Sequence, residues 1–333
     1  MKEYIQKLSK RKNLTIEEAE NAISNIFTNA TDAQIGAFLV ALKMKGETEN
    51  EIIGLVNGMR KASKRIHLKL DSPIIDIVGT GGDTHNTINV STTTAIVVAS
   101  CGIFVAKHGN HAITSKSGSA DVLKELGISI NKSPEEVKKS IEDINIGFML
   151  AGNFHPSMKR VVAPRREIGI RTVFNILGPL TNPANIDAAL IGVFDKNLCI
   201  PFASVLKNIG LKRAMIVNGD GMDEISNISD TTIVELNNGV IKSYILTPEE
   251  LGIKRAHIED IMGSTPKENA NDIIQILNGK EKGPKRDIIV MNGAAAIYVA
   301  GIVDSIKNGI PIIENAIDSG KAMQKLNEFR AYK

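Results

Sequence analysis

The chain is 333 residues long, 43% hydrophobic and 23% charged, the composition of a soluble globular protein with room for one large or two ordinary domains. A net charge of +3 suits an anionic small molecule, and the absence of Trp, with only 4 Tyr and 9 Phe, argues against an aromatic platform for single-stranded nucleic acid. The first residues lack a signal-peptide core, the longest apolar stretch (Ala95 to Ala106) is too short to span a bilayer, and the distant Cys101 and Cys199 read as buried reduced thiols, so a cytoplasmic location is expected.

Residues 1–65 read as entirely helical. Capping boxes recur, Thr15 with Glu18, Thr31 with Gln34 and Thr48 with Glu51, each ahead of apolar residues at helical spacing such as Ile35, Phe38, Leu39 and Leu42. The polar, basic segment Lys64–Asp71 joins this unit to the rest of the chain. A helical N-terminal domain is therefore expected over 1–70, with part of 152–186 as a candidate addition, and a second domain over 71–333.

From residue 73 strands alternate with helices. The candidate strands are Ile74–Val78, Ile103–Lys107, Ile146–Leu150, Ala189–Val193 and Ala214–Val217, with helices near 92–100, 119–126, 134–143 and 198–209. Such alternation implies a mostly parallel sheet with helices on both faces. Thr232–Leu236 and Val240–Leu246, split by Asn237-Asn238-Gly239, read as an edge hairpin. Helices come next near 269–278, 286–301 and 312–330. The fold class is α/β: a small all-helical domain plus a larger α/β domain with a mostly parallel central sheet. Segment 152–186, rich in Pro, Arg, Asn and Gly, fits neither pattern and reads as a long connection of the kind that is often functional.

The densest signal is the turn after the first strand, Gly79-Thr80-Gly81-Gly82-Asp83, ahead of the helix opened by Ser91 and Thr92. Glycines let backbone approach a ligand, and a helix N-terminus adds free N–H donors, so this is how an α/β protein binds phosphate. Neither the P-loop nor the dinucleotide fingerprint fits. Asp83 would repel bare phosphate, which points to a phosphorylated sugar with Mg²⁺. By itself the segment is equally a tight turn with no ligand.

Other clusters lie just past strand ends. Lys107-His108-Gly109-Asn110 offers a phosphate-binding Lys and an orienting Asn, or simply a solvated loop. Thr114 to Asp121 places hydroxyls and Lys116 at a helix start, a second anion cradle beyond what capping needs. Asp223-Glu224 is a carboxylate pair suited to Mg²⁺, or an acidic surface turn. Arg165, Arg166 and Arg171 crowd the 152–171 segment with His155, and one could grip a carboxylate bidentately.

Taken together, Gly79-Thr80-Gly81-Gly82-Asp83, Asn89-Val90-Ser91-Thr92, Lys107-His108-Gly109-Asn110, Ser117-Gly118-Ser119-Ala120-Asp121, His155-Pro156-Ser157-Met158-Lys159, the run Arg171 to Pro183 and Asp220-Gly221-Met222-Asp223-Glu224 resemble the anthranilate phosphoribosyltransferase family, in family order and over essentially the full length. The resemblance implies a nucleoside phosphorylase/phosphoribosyltransferase-like fold, a homodimer formed through the helical domain, and transfer of the phosphoribosyl group of phosphoribosyl pyrophosphate to the amine of anthranilate. It implies donor contacts from Gly79, Gly82, Asp83, Thr87, Asn89, Val90, Ser91, Thr92, Lys107, Ser115 and Ser119, with Lys107 and Asp83 catalytic. It implies Mg²⁺, as two ions with the donor, on Ser91, Asp223 and Glu224. It places anthranilate against Gly79, Asn110 and Arg165, with His108, His155 and Gly178 along its path. No nucleic acid or membrane partner is expected. The chain departs from the family at His111, where Arg usually follows Lys-His-Gly-Asn. A pyrimidine nucleoside phosphorylase shares this fold, but Gly109-Asn110 after His108 favours anthranilate. A nucleic-acid-binding relative would need a basic groove and a degraded donor site, and here the donor motifs are intact.

Overall fold

The structure, a computed structural model, describes residues 1–82, 85–112 and 116–332. Four helices come first: α1 (Lys2–Ser9), α2 (Ile16–Thr28), α3 (Asp32–Lys45) and α4 (Glu49–Ala62). The three expected capping boxes start α2, α3 and α4, each hydroxyl accepting the third helical N–H while that residue's side chain accepts the Thr N–H. Glu51 does more than cap. Fully buried, it also accepts the Leu14 N–H at 2.9 Å and the Lys45 ammonium at 2.8 Å.

The α/β part runs β1 (Ile74–Gly79), α5 (Val90–Ser100), β2 (Phe104–Gly109), α6 (Ser119–Glu125), α7 (Pro134–Ile144) and β3 (Ile146–Leu150). Next come α8 (Ala151–Phe154), α9 (Lys159–Ile168), α10 (Phe174–Leu180), β4 (Ala188–Gly192), α11 (Cys199–Asn208) and β5 (Arg213–Asn218). The chain then forms the hairpin β6 (Thr231–Asn237) and β7 (Val240–Leu246), and α12 (Ile258–Ile261), α13 (Pro266–Leu277), α14 (Pro284–Val299), α15 (Ile306–Asp318) and α16 (Lys321–Ala331). Among the described residues these strands form one sheet ordered β3-β2-β1-β4-β5-β6-β7, parallel through β5 and antiparallel at the hairpin edge.

β1 lies between β2 and β4, so successive connections leave it in opposite directions. That reversal opens a crevice at its carboxyl end, where open α/β sheets bind ligands. One sheet face packs on α5, α14 and α16 around Ile77, Val97 and Ile297. The other shares a core with the N-terminal helices, joining Ile23, Leu39 and Val56 to Leu177, Ile191 and Ile216.

Three expectations change. Segment 152–186 is largely helical, as α8, α9 and α10, with Pro164 and Pro179 inside helices. Val161, Phe174 and Leu177 bury against the N-terminal helices, and that packing outweighs the backbone hydrogen bonds a proline forgoes. The single helix expected over 312–330 is two, α15 and α16, separated at Gly320, whose φ of +79° an L side chain resists. Both cysteines are free, but only Cys199 is buried; Cys101 is partly exposed.

Candidate active site

A cavity of about 250 Å³ opens at the carboxyl ends of β1 and β2. Its wall takes in Gly79 and Gly82 of the turn, Thr87 to Thr92 at the start of α5, Lys107 to Ala112, Ser117 to Ser119, and Asp223 with Glu224. The proposed donor and metal residues therefore converge, from segments far apart in sequence. Asp83 and Ser115 lie outside the described residues.

Two glycines make the convergence possible. A Cβ on Gly79 would sit 2.3 Å from Asp223 Oδ2, and one on Gly192, at the end of β4, 1.5 Å from the Asp223 carbonyl. With neither side chain present, the loop after β5 lies across the strand ends, and Asp223 Oδ2 accepts the Gly81 N–H at 2.7 Å. Glu224 Oε1 accepts the Ser91 N–H at 3.2 Å, at the N-terminus of α5. Burial pushes the Asp223 carboxyl up from its ordinary value.

Lys107 is only 3% exposed. Its ammonium donates to the Ile77 carbonyl at 2.6 Å and to Ser91 Oγ at 3.4 Å. Burial lowers its pKa, and the charges of Asp76, Glu224 and Asp223 oppose that. Asn89 is held from two sides: Ser117 Oγ and Asn269 Nδ2 donate to its Oδ1 at 3.0 and 2.9 Å. Ser119 Oγ accepts the Asn110 N–H at 3.2 Å. His111 Nδ1 lies 2.6 Å from Asp121 Oδ1, and Asp121 Oδ2 accepts the N–H groups of Ala112 and Gly118 at 2.9 and 3.0 Å. One carboxylate thus ties Ala112 to Gly118.

The acceptor residues fall into two places. Gly79 and Asn110 line the cavity, as does His108, whereas Arg165, His155 and Gly178 do not. His155 and Gly178 lie behind His108, whose Nδ1 is 3.3 Å from the Gly178 carbonyl and whose ring centroid is 5.2 Å from that of His155. Nε2 of each histidine is buried without a hydrogen-bond partner. Burial pushes His108 down to about 3 and His155 down to about 4, so both rings are neutral near pH 7. The Arg165 guanidinium stacks 5.5 Å over the Phe174 ring. Arg171, in the cavity wall, stacks 4.5 Å over Phe194 and donates to the Gly82 carbonyl.

The carboxylate pair suits a hard divalent cation. Two buried carboxylates with the Ser91 hydroxyl nearby are oxygen donors, and among the described residues no third His, Cys, Asp or Glu joins them. Such a shell is incomplete, as Mg²⁺ sites completed by water and substrate phosphate are.

Asp76, Gly192 and the segment 261–269 were given no role by the sequence, and Asn182, although inside the run Arg171 to Pro183, was not singled out for the site. Asp76 is the exception in leaving a signal, since a lone Asp within Ile-Ile-Asp-Ile-Val is a charge inside a buried strand and asks for an explanation.

A helical bundle beside a parallel sheet, with glycine turns, a helix N-terminus and a carboxylate pair at the switch point, defines a two-part glycosyl transferase. The model of the glycosyl transferase family a/b domain matches residues 71–323, and that of its helical bundle domain residues 2–63. The chain belongs to the anthranilate phosphoribosyltransferase family. It is 58% identical over 328 residues to the anthranilate phosphoribosyltransferase of Methanococcoides burtonii, covering 98% of this chain and 93% of that one. The crystal structure of the Thermus thermophilus protein superposes with a TM-score of 0.93 at 39% identity, covering 99% of this chain and 98% of that one. The Saccharomyces cerevisiae protein in complex with PRPP and Mg gives 0.91 at 31% identity, covering 99% and 96%. The same yeast protein in complex with 4-fluoroanthranilate gives 0.89 at 30% identity, again covering 99% and 96%.

Proposed function

We infer that this chain transfers the 5-phosphoribosyl group of phosphoribosyl pyrophosphate to the amine of anthranilate, releasing pyrophosphate, as a step of tryptophan biosynthesis. The observation that carries the reading is the meeting of the glycine turn, the start of α5, Lys107 and the Asp223–Glu224 pair in one cavity.

The aromatic amine is neutral near pH 7 and already nucleophilic, so the site needs no strong base. Its tasks are to align that amine with the anomeric carbon and to stabilise the charge on departing pyrophosphate. In our assignment Gly79, Gly82, Thr87, Asn89, Val90, Ser91, Thr92 and Ser119 hold the donor, together with Asp83 and Ser115, which lie outside the described residues. Lys107 faces the developing negative charge. Asp83 is assigned to the ribose. Ser91, Asp223 and Glu224 would hold magnesium, as two ions arriving with the donor, and the cation would supply charge for the leaving group.

Asn110, Gly79 and Arg165 are assigned to anthranilate, with His108, His155 and Gly178 along its path. Neutral imidazoles let an anionic aromatic pass without trapping it, and Arg165 supplies the fixed charge for its carboxylate. We assign residues 1–70 to a helical domain joined by α9 and α10, and 71–333 to the donor-binding domain. A homodimer through the helical domain is proposed, with the exposed apolar Ile16 and Met44 on that part of the surface. A cytoplasmic location is proposed with it; among the described residues no helix is long and apolar enough to cross a membrane.

Loss of anthranilate fluorescence on adding phosphoribosyl pyrophosphate and Mg²⁺ tests the reading. No change at any Mg²⁺ concentration would overturn it. Sedimentation tests the dimer.

A further inference from the structure

β1 and β2 pair only at their amino ends, Ile74 with Phe104 and Ile75 with Val105. On their outer sides the ladders continue to the site, β1 with β4 as far as Gly79–Gly192 and β2 with β3 as far as Gly109–Leu150. Toward the cavity no further residue pairs extend the ladder between the two central strands, and side-chain hydrogen bonds link them instead. Asp76 Oδ1 accepts the His108 N–H at 3.2 Å, and Asp76 Oδ2 accepts Asn182 Nδ2 at 2.6 Å. The same amide also donates to the Ala106 carbonyl at 2.9 Å, and Asn182 Oδ1 accepts the Ala184 N–H at 2.8 Å. Lys107 Nζ reaches back from β2 to donate to the Ile77 carbonyl of β1 at 2.6 Å.

Asp76 is fully buried. A carboxylate in such a place stabilises a fold no better than a packed apolar residue, so its presence asks for a use. The groups it meets suggest one. Lys107 and His108 are neighbours in a strand, so their side chains leave opposite faces, Lys107 toward Ser91 and His108 toward Gly178 and His155. Asn182 comes just after α10, the helix that supplies Gly178.

We propose that Asp76 is a positioning residue of the transfer reaction: with Asn182 it ties β1 to β2 beyond the last ladder pair, and so fixes the Lys107 ammonium on the donor side relative to the His108 ring on the acceptor side. The inference rests on reading the cavity as the phosphoribosyl-transfer site.

The test is kinetic, on the full chain with Mg²⁺. Asp76→Asn keeps the shape of the side chain but turns an amide toward the Asn182 amide, and Asn182→Ala removes the second partner. Each is expected to lower kcat by about tenfold to a hundredfold. The Kd of phosphoribosyl pyrophosphate, measured by calorimetry without acceptor, is expected to stay within about threefold, a split that general loosening of the fold does not give. Because the two residues act as one unit, the double variant is expected to fall no further than the worse single one. A folded Asp76→Asn protein with unchanged kcat would overturn the proposal, as would losses that multiply in the double variant. If Asp76→Asn does not fold, an unchanged kcat in Asn182→Ala overturns it alone. An unsubstituted chain without turnover strikes the functional reading itself, and this inference with it.

Discussion

The Gly81 N–H donates to the Asp223 carboxylate at 2.7 Å, although 142 positions separate the two residues. They meet because β4 lies between β1 and β5 and ends in Gly192, over which the Asp223 backbone passes. The proposed metal-binding pair is held in place by glycines on two neighbouring strands.

Gly192→Ala is therefore expected to displace the Asp223–Glu224 loop. Its Cβ would meet backbone, which cannot rotate away as a side chain does. Overpacking of this kind costs roughly 1–3 kcal/mol. A rise in the Mg²⁺ concentration giving half-maximal anthranilate consumption, with a lower Tm, is the expected result. Gly152→Ala is the control: outside its own helix nothing lies within 4 Å of its Cβ, and neither the Mg²⁺ dependence nor the Tm is expected to worsen.

Asp223→Asn combined with Glu224→Gln keeps the shape of both side chains and removes both charges. Losing one electrostatic contact to developing charge typically costs roughly 10²–10³ in rate. Turnover is expected to fall by at least that much while the circular dichroism spectrum is retained. Unchanged activity at limiting Mg²⁺ would rule out the metal assignment.

The buried histidines give stability a pH dependence. His108 and His155 fall from 6.5 to about 3 and about 4 in the fold, so between about pH 4 and 6 the unfolded chain binds two more protons there. Asp76 works the other way. Burial, only partly offset by Lys107, raises it to about 6, and the folded chain holds its proton in the same window. The net of one proton makes these groups destabilise the fold on acidification, by about 1.4 kcal/mol per pH unit. Tm measured from pH 4.5 to 7 is expected to fall toward acid, and less steeply in His155→Gln. Equal slopes in the two proteins would show that His155 is not buried neutral.

The segment before α13 supports the donor site from outside. Gly263 N–H donates to the Asn86 carbonyl at 2.8 Å, and a Cβ there would sit 2.5 Å from the Thr87 carbonyl. Gly263→Ala is expected to raise the KM for phosphoribosyl pyrophosphate roughly tenfold, about 1.4 kcal/mol, and to leave that for anthranilate nearly unchanged. Titrating each substrate at saturating levels of the other decides it.

The strands were legible because each is an apolar run ended by a polar or glycine break, and Ile146–Leu150 is matched to the residue. The donor side was legible because Gly79 to Gly82 and the start of α5 are close neighbours in the chain. Support arriving from a distance leaves little local trace, the charge of Asp76 inside a buried strand aside. Asn269 reaches Asn89 across 180 positions, and Asp76 and Asn182 are paired across 106. The helices α9 and α10 were hidden by Pro164 and Pro179, which signal a break until tertiary packing overrides them.

The core beneath α1 to α4 is shared with residues that reach it late. Ala189, Ile191, Val205 and Ile216 belong to the same cluster as Ile23, Leu39 and Val56. On the ribosome the four helices emerge first, and at ordinary elongation rates they wait roughly 10–30 s for β5. During that interval a nascent chain presents a half-covered apolar face to solvent, which makes it a natural client for holdase chaperones.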